Sequence, residues 1–297
     1  MTVRQPRVIT LLTDFGNQDA YVGVMKGVIA GINPFANIVD ICHSVPPQDI
    51  FSGAYLLYTS YKYFPRKTIH VAVVDPGVGS RRDIVCVETK DYFFLVPDNG
   101  ILSFIIQDEK PKSIFRITNS KYFLPLPSST FHGRDVFAPV AAHLSLGVKP
   151  QQLGNKINQL EQLDIPKPVH RKTGQVEGQI IYIDRFGNLI TNIAQEYLVK
   201  GVGGQKSEVR MQKSEDRINQ RTTTLKELFS LCNTIETVIG KKKIMGLSKT
   251  YTDVNAGEPL VLYGSAGFLE VSINQGNAQK YFRVDRGNKI RVEMGSY

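Results

Sequence analysis

The sequence predicts an α/β N-terminal domain with a mainly parallel sheet, followed by an all-β C-terminal domain, a barrel or a sandwich. Three observations carry that expectation. Short apolar runs of β type alternate with longer helical patterns from residue 8 to about residue 146. The chain then turns polar and collects Pro166 and Pro168, which stop helices and stiffen linkers. Beyond them come short strand-like runs separated by turn residues.

Taken in order, Val8–Leu12 reads as a strand, Tyr21–Ile32 as a helix, Ile38–Ile41 as a strand, Asp49–Tyr61 as a helix and Ile69–Val74 as a third strand. Strands alternating with helices build crossover units, and crossover units give parallel sheets. Ile84–Glu88 and Tyr92–Val96 flank the turn residues Thr89-Lys90-Asp91 as a hairpin, which mixes an antiparallel pair into that sheet. Gly100–Gln107 and Val136–Leu146 read as helices, each behind a polar, glycine-containing motif. The α/β domain is therefore assigned to 1–165, a linker to 166–175 and the β-rich domain to 176–297. Its expected strands are Val176–Ile183, Ile190–Ile193, Glu236–Ile239, Pro259–Tyr263, Phe268–Ile273 and Ile290–Glu293. The polar stretch near 205–233 is expected to be an insertion, exposed over Gln205–Arg221 and with a short helix over Thr222–Cys232.

Composition narrows the function classes. With 297 residues, 42% of them hydrophobic, the chain can bury a substantial core without metal or disulfide staples. Cys42, Cys86 and Cys232 form no C-x-x-C pair, so neither a disulfide framework nor a zinc site is indicated, and reduced cysteines suit a cytoplasmic protein. No apolar h-region follows the N-terminal basic residues, and no apolar run approaches the ~18 residues that a spanning helix needs, so neither export nor a membrane partner is expected. Thirty-six basic against 27 acidic residues give a net charge of +9. The basic runs Lys241–Lys243 and Pro168–Lys172 carry no interleaved aromatics, which makes them solvated faces and not a nucleic-acid site.

Four polar motifs carry the chemistry. Asp75-Pro-Gly-Val-Gly-Ser-Arg-Arg82 ends the run Ile69–Val74 in a carboxylate, a glycine turn and two guanidiniums, at the strand's carboxyl end where open α/β sheets place their sites. Alone, Asp-Pro-Gly is ordinary turn chemistry, and Gly77 and Gly79 do not complete a dinucleotide fingerprint. Asp14, in Leu11-Leu-Thr-Asp-Phe-Gly-Asn-Gln-Asp-Ala-Tyr-Val-Gly23, can cap a turn or accept two hydrogen bonds from a ribose diol. Asp19 and Tyr21 of the same motif enter a helix, where capping competes with binding. His132, in Phe131-His-Gly-Arg-Asp135, precedes a helix and is open to the same capping reading. Asp184 and Asn188, in Ile183-Asp-Arg-Phe-Gly-Asn-Leu-Ile-Thr-Asn-Ile193, would pass by themselves as a β-turn.

Together and in this order the four motifs resemble the S-adenosylmethionine hydroxide adenosyltransferases, adenosine-forming S-adenosylmethionine hydrolases related to fluorinases and chlorinases. The resemblance runs from about Val8 to about Val292, interrupted mainly between Gln205 and Asn233. It implies that Asp75, Arg82 and His132 are catalytic, with Arg82 matched seven residues after the aspartate and Arg81 adjacent to it. Asp14 would hold the ribose hydroxyls, Asp19 and Tyr21 the methionine end, Asp184 the methionine amino group, Asn188 an adenine edge, Phe186 the purine pocket and Ser265 the methionine. Asn274 lies in a loop that family members use for backbone contacts to adenine.

The implied reaction is hydrolysis of S-adenosylmethionine to adenosine and L-methionine at C5′, with no cofactor and no metal. Arg82 would lower the pKa of a bound water, while Asp75 and His132 orient it and take its proton. Which of the two receives the proton stays open. Asp75 stands where the fluorinase pattern has tyrosine, Gln48 where it has tryptophan, Gly133 where it has the halide-binding serine and Ala266 where it has arginine, so hydroxide is favoured over halide as nucleophile. The alternatives are a chlorinase-like halogenase and a noncatalytic S-adenosylmethionine or nucleoside sensor. A nucleic-acid methyltransferase fits less well, because no Gly-rich Rossmann loop is present. Relatives form homotrimers whose active sites lie between subunits, and the resemblance implies the same assembly here.

Overall fold

A computed structural model describes residues 7–171, 174–195, 197–198 and 235–294. The expected insertion at 205–233, with Cys232, lies outside these residues. The chain divides into two compact units, Met1–Ile165 and Pro166–Tyr297.

In the first unit, β1 (Val8–Thr13), α1 (Tyr21–Ile32), β2 (Asn37–Cys42), α2 (Ile50–Ser60) and β3 (Ile69–Val73) follow the alternation of the sequence. The hairpin β4 (Ile84–Glu88) and β5 (Phe93–Pro97), helix α3 (Ser103–Asp108), strand β6 (Ser113–Arg116), helix α4 (Ala138–Ser145) and the two-residue β7 (Lys156–Ile157) complete it. The sheet order is β2-β1-β3-β5-β4-β6-β7. The pairs β2/β1, β1/β3 and β3/β5 are parallel, whereas β5/β4, β4/β6 and β6/β7 are antiparallel. The sheet is therefore mixed and not mainly parallel. β5 lies parallel to β3, and from β5 outward each of β4, β6 and β7 runs against the strand before it. Strands β3, β4 and β5 are buried along their whole length, as expected of central strands covered on both faces. Ile9, Leu11, Ile69, Val71 and Leu95 share one core with Met25 and Ile29 of α1 and with Val140, Ala141 and Leu144 of α4.

The helix expected at Val136–Leu146 begins instead with a π-helical turn over Gly133–Phe137. Pro139 has no N–H to give the Asp135 carbonyl, which accepts from the Leu124 N–H at 2.9 Å. The ladder slips by one residue where that bond is missing.

The second unit is an antiparallel sheet of order β12-β11-β15-β9-β10-β14-β13, with β8 (Val169–His170) beside β9. Its strands are β9 (Gln175–Ile183), β10 (Leu189–Ala194), β11 (Ile235–Ile239), β12 (Lys242–Met245), β13 (Pro259–Tyr263), β14 (Phe268–Ile273) and β15 (Lys289–Met294). The Ser248 N–H, just past β12, reaches the Val261 carbonyl of β13 at 2.7 Å, so the sheet curls into a nearly closed barrel. Its interior holds Val176, Ile180, Leu189, Ile235, Val261, Leu269, Val271, Ile290 and Val292. The basic run Lys241–Lys243 belongs in part to edge strand β12, where Lys243 pairs with Glu236 at 2.8 Å.

Candidate active site

Beyond β3 the chain reverses sharply: the Val78 N–H donates to the Asp75 carbonyl at 3.2 Å, and the Ser80 N–H to the Gly77 carbonyl at 3.0 Å. The turn brings Arg82 back over Asp75. Arg82 Nε donates to Asp75 Oδ1 at 2.8 Å and Nη2 to Oδ2, a bidentate fork. The same Nη2 lies 3.2 Å from His132 Nδ1. Arg81 points to solvent, which settles which guanidinium faces the aspartate. The Asp75 and Arg82 side chains are only 4% and 11% exposed, so the pair is largely out of bulk water. Gly79 makes the approach possible: its φ is +77°, and a Cβ there would run into the Ser129 carbonyl of the loop that leads to His132.

His132 stands in the N-cap position of the π-helical turn yet makes no side-chain cap bond, so its ring is left for Arg82. Burial first, and the Arg82 charge second, hold its pKa below the ordinary 6.5, against the opposing pull of Asp75. The ring is neutral at neutral pH. An arginine only donates, so Nδ1 accepts and the ring proton sits on Nε2. Around this set lie three aromatic rings: Tyr21 is edge-on to Phe131 at 5.1 Å, and Phe15 is 5.7 Å from Tyr21 and 5.9 Å from Phe131. Asp14 follows β1, its Oδ2 accepting the Gln48 N–H at 2.8 Å. Asp19 is exposed, and the cap of α1 is Ala20 without any side-chain bond, so helix capping does not account for Asp19.

In the barrel unit, Asp184 closes its own turn: Oδ1 accepts the N–H groups of Phe186 and Asn188, each at 2.9 Å, and Oδ2 accepts from Asn188 Nδ2 at 2.9 Å. The turn therefore presents Phe186, which is 73% exposed, while Asn188 is buried beneath it. Gly187, at φ +85°, has no room for a Cβ against the Asn277 side chain. Ser265 is exposed in the hairpin between β13 and β14. Asn274 is a loop anchor: Nδ2 donates to the Val254 carbonyl at 2.8 Å, its N–H to Glu258 and its carbonyl accepts from Gly257. Its own backbone groups are thereby occupied.

The sequence signature of the S-adenosylmethionine hydroxide adenosyltransferase N-terminal domain matches residues 9–154, and that of the C-terminal domain matches 178–231 and 219–291. The chain belongs to this family. It is 36% identical over 290 residues to the (R)-S-adenosyl-L-methionine hydrolase of Methanocaldococcus jannaschii, covering 96% of this chain and 95% of that one. It is 32% identical to the protein of the same name from Thermus thermophilus, covering 96% and 99%. A fluorinase from Actinopolyspora mzabensis is more distant, at 22% identity over 96% of each chain. Among solved structures, an uncharacterized conserved protein from Thermotoga maritima superposes with a TM-score of 0.82 at 35% identity, over 96% of this chain and 99% of that one.

Two features of this adenosyltransferase-family chain escape sequence reasoning. Glu270 of β14 is 7% exposed and accepts from the Tyr251 and Ser272 hydroxyls at 2.8 Å each. Burial, then the Glu270 hydrogen bond and charge, push the Tyr251 phenol pKa up. One acidic letter inside Phe268–Ile273 is the signal that would have found it. The other is His43, buried beside Thr13, whose sequence separation hides the contact. Among the described residues no group of three or more His, Cys, Asp or Glu side chains is arranged to hold a metal ion, and no helix is long and apolar enough to cross a membrane.

Proposed function

We propose that this chain hydrolyses S-adenosyl-L-methionine to adenosine and L-methionine by attack of water on C5′, and that the R sulfonium epimer is its substrate. The observation that carries the reading is the convergence of Asp75, Arg82 and His132 from two loops at the carboxyl side of the sheet. The names of the hydrolase relatives support the substrate and its epimer.

Methionine leaves the sulfonium as a neutral thioether, so no acid has to protonate it. The demand falls on the nucleophile, which must be aligned opposite sulfur and relieved of a proton. With its proton on Nε2, His132 donates to the water oxygen and aims a lone pair at C5′. Asp75 takes the proton, since each carboxylate oxygen keeps a lone pair beyond its bond to Arg82. Arg82 holds the carboxylate in place and stabilises hydroxide character. As the O–C5′ bond forms, the C5′–S bond breaks and its electron pair stays on sulfur. A carboxylate facing the nucleophile repels halide, and this disfavours halogenation.

The reading includes no metal and no cofactor, a cytoplasmic location, and a homotrimer in which the loops around Asp75 and those around Asp184 contribute to one substrate site. The last two follow from the family resemblance and the cysteine usage. Incubation with a mixture of both sulfonium epimers, followed by chromatography of the nucleosides, tests the reading. Adenosine and methionine should appear in equal amounts while the R epimer alone declines. Bound but unchanged substrate at high enzyme concentration would favour a sensor.

A further inference from the structure

His43 is a histidine for which the reaction above has no use. It is 5% exposed, and its polar contacts run to the turn that carries Asp14 and to the strands and helix beside it. Nδ1 lies 2.9 Å from the hydroxyl of Thr13, itself fully buried at the carboxyl end of β1. Nε2 lies 3.1 Å from Asp40 Oδ1, and the other Asp40 oxygen meets Lys26 of α1 at 2.6 Å. The His43 carbonyl accepts the Gly16 N–H at 2.7 Å. Thr13 Oγ1 in turn receives the Phe15 N–H at 3.3 Å. Five residues beyond His43, Gln48 adopts φ +65° and donates its N–H to Asp14. A left-handed glutamine is uncommon and has to be held by its surroundings.

These contacts have a direction. A carboxylate beside Nε2 keeps the ring proton there, so Nδ1 accepts the Thr13 hydroxyl proton and the Thr13 lone pair turns to the Phe15 N–H. The chain Lys26, Asp40, His43, Thr13 thus ends on the peptide that follows Asp14. An apolar side chain would fill the same space without needing the Thr13 hydroxyl as a partner for a buried ring nitrogen. We propose that His43 is a positioning residue for the ribose diol: it ties the 13–16 turn to the 43–48 loop so that Gln48 fixes one Asp14 oxygen and the other meets the sugar hydroxyls. The inference rests on reading Asp14 as the ribose-binding acid.

Calorimetric titration of the full-length protein with adenosine and with 2′,3′-dideoxyadenosine tests it. Thr13→Val and His43→Leu should each weaken adenosine about tenfold, the effect of one well-placed hydrogen bond, and leave the dideoxynucleoside unchanged. Thr13→Ser, which restores the hydroxyl, should restore adenosine binding. Should His43→Leu fail to fold, the Thr13 pair carries the test. Equal weakening of both ligands, or no change in either, overturns the proposal. Asp14→Asn separates the two readings. If it alone abolishes the preference for adenosine, the His43 inference fails and the ribose assignment stands; if it leaves the preference intact, both fall.

Discussion

Arg82→Ala removes the guanidinium that joins Asp75 to His132. Three contacts go with it: the 2.8 Å bond from Nε, the second arm of the fork and the 3.2 Å contact to His132. The Asp75 side chain, 4% exposed, then keeps its charge without a partner. Breaking a buried pair in this way costs about 3–5 kcal/mol of folding stability, which at about 2–4 °C per kcal/mol lowers the melting temperature by about 6–20 °C. Native domains hold about 5–15 kcal/mol, so most of the protein stays folded at room temperature. Turnover should fall about 100- to 1000-fold, as it does when one positioned donor leaves a catalytic set, with substrate affinity nearly unchanged. The pH profile supplies a second readout. Arg82 helps hold His132 below 6.5, so without it the ring protonates at higher pH and the acid limb of the residual activity moves up. Single-turnover assays of Arg82→Ala beside Arg81→Ala decide the matter. Full activity in Arg82→Ala, with or without loss in Arg81→Ala, refutes the reasoning.

Further outcomes follow from the same geometry. Gly79→Ala forces a side chain onto the Ser129 carbonyl at a positive φ, so a strain of about 1–3 kcal/mol should lower the melting temperature and separate the Asp75 turn from His132. Its turnover should drop at least tenfold, and wild-type kinetics would count against the close approach. In the unaltered protein, kcat/KM should hold as pH falls to 6.5 and decline only below it, because His132 is held neutral. Stability should fall over the same range. A histidine whose folded pKa is depressed binds protons more readily when unfolded, and buried His70, pushed down to about 3, adds to the effect. Mixing Asp75→Asn with Asp184→Ala subunits should recover part of the activity if sites are shared between chains; no recovery after verified exchange would place each site within one chain.

Much of the fold is legible because apolar periodicity is a local signal. Helix α1 runs from Tyr21 to Ile32, as the spacing predicts, and β13 and β14 occupy Pro259–Tyr263 and Phe268–Ile273. Sheet order is not local. Nothing in Ile84–Glu88 says that its hairpin partner will sit beside β3, or that two further antiparallel pairs, β4/β6 and β6/β7, will extend the sheet beyond it. Edge strands such as β7 and β12 are short and carry lysine, so they pass for loops. The π-helical turn was within reach, since Pro139 announces a missing donor, but the carbonyl's new partner Leu124 is remote in sequence. The site divides along the same line. Asp75 and Arg82 are visible in a motif at a strand end and His132 in one before a helix, yet only folding shows that Arg82 and not Arg81 turns inward. The family resemblance makes ligand groups of Asp184 and Asn274; the turn that Asp184 closes is legible in its motif, whereas the loop anchorage of Asn274 is hidden in the sequence.

The most direct test of the account is hydrolysis of S-adenosyl-L-methionine in ¹⁸O-labelled water with mass analysis of both products. Attack of water on C5′ predicts adenosine carrying one labelled oxygen at its 5′ position and an equal amount of unlabelled L-methionine. Adenosine without label, label in the methionine, or no adenosine at all would contradict it.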